Sequence, residues 1–99
     1  MQGHYPSAFE REMGCTEAEL RSWLPGASGG RAIAWRERGA DIVIDAGVVA
    51  IDWQTLEPRR IALIVVPRLH VRFECRGVGQ DAWQRFMKHF DLYTQRGGG

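Results

Sequence analysis

Ninety-nine residues suffice for one domain with a core that needs no disulfide or metal staple, and 44% hydrophobic with 25% charged residues marks a chain that folds rather than stays disordered. A formal net charge of +1 lacks the basic excess of a dedicated nucleic-acid binder. Two cysteines are too few for a secreted disulfide framework, MQGHYPSAFE has neither n-region nor apolar core of a signal peptide, and the longest apolar run, IALIVV, is far short of a membrane span; the expectation is a cytoplasmic protein with free thiols and no membrane partner.

From the start of the chain, Ser7 and Glu10 have capping-box spacing and Gly14 stands where a helix-ending glycine belongs, so a short helix is predicted over 8–13. Thr16 and Glu19 form a second capping box, Cys15 and Leu20 a hydrophobic staple, and Leu20, Trp23 and Leu24 one helix face. Pro25-Gly26 is expected to stop that helix, giving a helical N-terminal segment over 8–24. GASGG (26–30) reads as a flexible joint.

From Arg31 the period becomes two. RAIAWRE places Ile33 and Trp35 on one face, RGAD reads as a turn, DIVID as a strand, DAG as a turn or bulge, and VVAIDW aligns Val49, Ile51 and Trp53. QTLEPRR reads as a loop. IALIVV, apolar on both faces, reads as a central strand covered on both sides and ended or bent at Pro67. RLHVRFECR alternates most cleanly, with Leu69, Val71, Phe73 and Cys75 opposite Arg68, His70, Arg72, Glu74 and Arg76.

Asp81 and Gln84 suggest a cap for a last helix over 81–93, whose stripe is Trp83, Phe86, Met87 and Phe90 and whose wet face is Gln84, Arg85, Lys88 and His89. Leu92 lies off that stripe, so either the helix loosens near Asp91 and 91–96 leave it to pack or recognise something, or Leu92 touches a second surface; residues 91–96 are expected to be ordered. Gly97–Gly99 are expected to be a flexible tail. The sum is one α+β domain over 1–99. An antiparallel β-meander of four to five strands spans 31–76, with N-terminal helices and a C-terminal amphipathic helix packed on one face. The second sheet face mixes Ala62, Ile64 and Val66 with His70, Arg72 and Glu74. Either the N-terminal helices or a second copy in a homodimer should cover its apolar half.

The chemistry-bearing residues do not assemble into a catalytic set. His70 and Cys75, five apart on one strand, leave opposite faces and cannot share a metal, and neither metal nor cofactor is expected. Cys15 before a helix N-terminus has the position of an activated thiol, but a staple residue packing on Leu20 is the simpler reading. Asp41 and Asp45 fit turns, and Asp52 fits a structural ion pair with an arginine such as Arg72. GASGGR lacks the Lys-Ser/Thr of a phosphate-binding loop and precedes a strand.

FEREMGCTEAELRSWL loosely resembles a helix-turn-helix, but Glu10 occupies the small packing position and Glu17 and Glu19 would repel DNA. The terminal glycines are similar to those of ubiquitin-like and sulfur-carrier proteins. In those β-grasp folds the tail leaves a strand, whereas here it follows the amphipathic helix.

The leading expectation is therefore a non-enzymatic protein-interaction or accessory module, binding a protein partner or itself. Its surface would include Ile64, Leu92 and the stripe Arg68, His70, Arg72 and Arg76. The alternatives are an anionic ligand or single-stranded nucleic acid on that stripe, and a small enzyme using Cys15 or an Asp/Arg/His cleft.

Overall fold

The computed structural model describes residues 4–96, with five strands in one antiparallel sheet and two helices. In chain order these are β1 (Ala8–Met13), α1 (Glu17–Ala27), β2 (Ile33–Arg36), β3 (Gly39–Ile44), β4 (Gly47–Ile61), β5 (Ile64–Arg76) and α2 (Gln80–Arg96). Strands β2 to β5 form the expected meander. β1 is added beside β5, giving the order β1-β5-β4-β3-β2.

β1 corrects the first helix. Six residues are too few to sustain an isolated helix, while β5 offers an open edge that satisfies the same backbone groups. Ala8–Met13 pair with Glu74–Leu69, and burial alternates along the segment. Phe9, Arg11 and Met13 turn inward, and Ala8, Glu10 and Glu12 turn out to water.

α1 begins as its capping box directs: the Glu19 N–H donates to the Thr16 hydroxyl and the Thr16 N–H to the Glu19 carboxylate. It does not stop at Pro25-Gly26. Pro25 lies within the last turn, where the helix closes through the N–H groups of Ser28 to Leu24 (2.8 Å) and Gly30 to Pro25 (3.0 Å). Part of GASGG is thus helix end rather than linker. Gly26 has a packing role, because a Cβ there would collide with the Tyr93 ring of α2.

The inward residues of β3, β4 and β5 (Ile42, Ile44, Val49, Ile51, Trp53, Leu69, Val71 and Phe73) form one cluster with Leu20 and Leu24 of α1 and Trp83, Phe86, Met87 and Phe90 of α2. Both helices therefore cover the same face, and the shortest molecular dimension is 21 Å, one sheet plus one helix layer. Of the two covers considered for the second face, the N-terminal helices are therefore not the one. Leu20 and Leu24 are consumed beside α2, and His89 Nε2 lies 3.0 Å from the Gly26 carbonyl.

α2 runs to Arg96, so residues 91–96 continue the helix; Gly97–Gly99 lie outside the described residues. Gln84 does not pair with Asp81 in a cap. It grips the backbone of Tyr5 twice, accepting from its N–H and donating to its carbonyl, both at 2.8 Å. The Trp83 indole N–H adds bonds to the Tyr5 and Pro6 carbonyls, at 3.2 and 2.9 Å.

The largest departure from expectation is the β4–β5 hairpin. β3 ends its pairing at Gly39 opposite Asp52, and β1 at Met13 opposite Leu69. Beyond those points β4 and β5 continue alone as a two-stranded arm, with a bulge between Leu56 and Arg59. QTLEPRR is thus strand, and IALIVV is the arm's tip rather than a doubly covered central strand. Ala62 sits in the two-residue turn at φ 54°, a region that favours glycine. Pro67 lies within β5, in the arm, rather than ending it.

Candidate interaction surface

The sheet face without helices carries a ladder of ion pairs. Arg68 donates from Nε and Nη2 to the two carboxylate oxygens of Glu12, at 2.8 and 2.9 Å, and Arg59 reaches Glu12 at 3.5 Å. Glu10 takes His70 Nε2 at 2.8 Å and Arg72 Nη1 at 3.2 Å, while Arg76 pairs with Glu74 at 3.1 Å. The hydrogen bonds from Arg68 hold the Glu12 carboxyl below its usual range. Exposed pairs of this kind contribute little to stability, because water and salt screen them. Their consequence is neutralisation: Arg68, His70 and Arg72 of β5 are matched by carboxylates of β1, and Arg76 by Glu74 on β5 itself.

Further along the same face, Arg36 of β2 bridges Asp41 (2.9 Å) and Asp52. Both aspartates hold its guanidinium more firmly charged than usual. Asp52 lies opposite Arg72 in the ladder, but its ion pair goes to Arg36 instead. Gly39 makes this possible, since a Cβ there would lie 2.7 Å from the Ile51 carbonyl and 2.8 Å from the Asp52 carboxylate. Asp41 is a strand residue rather than a turn residue, while Asp45 does occupy a turn, at φ 53°.

The arm continues this face outward. Its rows pair Leu56 with Arg68, Arg59 with Val66 and Ile61 with Ile64, while Arg60 and Val65 pair on the opposite side. Leu63 is 99% exposed, Ile64 62%, Ile61 55% and Val65 53%. Together they present on the order of 500 Å² of apolar-rich surface, shared between the two sides of the arm and comparable to the largest patch on an ordinary monomer, which is often functional. Leu92, 48% exposed, belongs to the helix layer and is not brought together with Ile64.

Cys15 is buried in the same cluster as Leu20, and burial, with Glu19 nearby, pushes its thiol up to about 11. Burial also raises Cys75. The cleft at the Cys15 end of β1, about 200 Å³, is lined by Arg11, Asp91 and Thr94. There Arg11 donates twice to Asp91 (2.7 and 3.1 Å), and the Tyr5 hydroxyl donates to the same carboxylate at 2.6 Å.

A second, open cleft of about 540 Å³ lies beside Glu17, Arg38 and Trp53. The Trp53 indole donates to Glu17 at 3.0 Å and, with Arg21, keeps that carboxyl below its usual range. Trp53 and His70 sit on opposite faces, so no shared pocket joins them. Among the described residues no three His, Cys, Asp or Glu side chains converge on a possible metal position. No helix of the described residues is long and apolar enough to cross a membrane.

Sequence reasoning overlooked Glu10 and Glu12 as partners of the stripe. The signal was present in FEREM, whose inward Phe, Arg and Met alternate with glutamates, but the capping-box spacing of Ser7 and Glu10 competed with it. Compared with known proteins, the chain matches no family model and no curated sequence.

Proposed function

We propose that this protein is a non-enzymatic interaction module whose working surface is the β4–β5 arm together with the ion-paired sheet face at its base. The observation that carries this reading is the tip: Ile61, Leu63, Ile64 and Val65 stand out in water although they have the composition of core. Val71, Phe73 and Phe90 are buried, and the other large apolar residues that reach the surface, Trp35, Val43, Leu92 and Tyr93, are each less exposed than any of the four at the tip. An exposed apolar tip with open strand edges is a liability for solubility unless a partner covers it. The ladder supports the reading by offering geometrically fixed polar groups around the apolar patch, as a protein interface does at its rim.

The test is photo-crosslinking in cells, with a benzophenone amino acid at position 63 and, as control, at exposed Lys88 on the far layer. Discrete protein adducts from position 63, and few from 88, are expected. No adduct from 63, or equal yields from both positions, overturns the reading.

A further inference from the structure

We propose that the protein covering the arm is a second copy of this chain, packed across a twofold axis with Ile61, Ile64 and Val66 of the two arms against each other. This rests on the arm being an interaction surface, and it names the occupant. Three observations converge on it.

The first is sidedness. Ile61, Ile64 and Val66 lie on the face that continues the ladder, with Arg59 opposite Val66 and Leu56 further toward the base, whereas the other face carries Arg60 opposite Val65. Three apolar residues on one side of a flat ribbon, with an arginine among them, match another sheet face of the same make-up, which packs about 10 Å away with interdigitated side chains.

The second is charge. On this face Arg36, Arg59, Arg68, Arg72 and Arg76 are met by Glu10, Glu12, Asp41, Asp52 and Glu74. A surface neutralised by its own pairs does not repel its own image, and it offers little attraction to a phosphate polymer or an anionic bilayer.

The third is area. With Val65 on the other side, the tip's share of this face is below roughly 500 Å² and falls short of the ~800 Å² per partner of a standard interface, so a stable contact must extend inward over the ladder rows. That face is continuous with the arm and carries no helix, so the remainder is available. A twofold contact uses the same patch on both copies and closes without further growth, which also shields the open strand edges from open-ended pairing.

Sedimentation equilibrium on the full chain tests the proposal. The expected species has twice the chain's mass, with a dissociation constant changing less than about threefold between roughly 0.15 and 1 M salt. Ile64→Asp should weaken association by at least about a hundredfold, because each dimer loses two buried isoleucines and gains two buried carboxylates. Its circular dichroism should match wild type, as should its melting at concentrations low enough to dissociate the wild-type dimer, since Ile64 is 62% exposed in the single chain. Leu92→Asp, on the helix layer, should leave the dimer intact.

A monomer at concentrations of about 100 μM overturns the proposal, as does a dimer indifferent to Ile64→Asp or broken by Leu92→Asp. The two readings fail separately. A monomer whose position-63 adducts contain a different protein removes the second copy but keeps the arm as an interaction surface. A monomer without adducts removes both.

Discussion

Raising the pH separates a core thiol from a reactive one at Cys15. The residue directly precedes the capped start of α1, where a helix dipole favours thiolate. Burial wins instead: the residue is 1% exposed, and its pKa rises from 9.0 to about 11. A thiol raised in the folded state keeps its proton where the unfolded chain releases it. Its stabilising contribution is therefore complete below pH 9 and is lost as pH climbs toward 11. The slope is at most about 1.4 kcal/mol per pH unit, so the two-unit gap is worth on the order of 2–3 kcal/mol. Urea unfolding followed by tryptophan fluorescence at pH 7, 9 and 10.5 measures it, with Cys15→Val as reference. Tyr5, raised to about 12 by burial and by its bond to Asp91, loses stability in a later alkaline window common to both proteins, so it cancels in the difference. In a Cys75→Ser background, Cys15 should react with an aromatic disulfide at pH 8 only as fast as the protein unfolds. Equal pH slopes for wild type and Cys15→Val, or native-state labelling at the rate of a free thiol, would refute the buried-thiol account and return Cys15 to candidacy as a nucleophile.

Phe90→Ala should cost about 3–5 kcal/mol in urea unfolding, because Phe90 is fully buried and packs edge-on to Phe73. Gly26→Ala, which would add helix propensity at an ordinary site, should instead destabilise by about 1–3 kcal/mol, and a Tyr93→Ala background should abolish that cost in a double-mutant cycle. Ala62→Gly should raise stability by about 0.5–1 kcal/mol by relieving the left-handed turn residue, measured as a higher melting temperature. Glu12→Gln should leave the urea midpoint nearly unchanged while restoring positive charge at Arg68 and Arg59, detectable as salt-dependent retention on a phosphate matrix that wild type lacks.

Where period and packing agreed, the sequence was readable. The α2 stripe and the inward residues of β4 and β5 were legible because every second or third-to-fourth apolar position also faces the core. The failures have distinct causes. Ser7, Glu10 and Gly14 carried a local helix signal, which the open edge of β5 overrode. IALIVV concealed a hairpin turn, because Ala62 and Leu63 occupy positions that Gly or Asn would have advertised. Reading through that turn converted an exposed tip into a supposed buried strand. It also hid the candidate site, since Ile64 was named but its projecting arm was not foreseen. The ion-pair ladder was invisible for a related reason: with residues 8–13 taken as helix, Glu10 and Glu12 had no reason to lie beside Arg68, His70 and Arg72.

The grip of α2 on Tyr5 joins groups 86 residues apart at Asp91 and 79 apart at Gln84. Such a contact has a consequence for the order of assembly. The β2–β5 meander closes through short local turns, but β1 finds its partner only after β5 exists, and Tyr5 is fastened only after α2 forms. During synthesis the early strand must therefore wait, unpaired, until nearly the whole chain has emerged. Closing so long a loop costs entropy before its contacts reward it, so the docking of β1 and Tyr5 is slower than the closure of the meander. Its vulnerable interval is while β1 is still free and the apolar arm is already made.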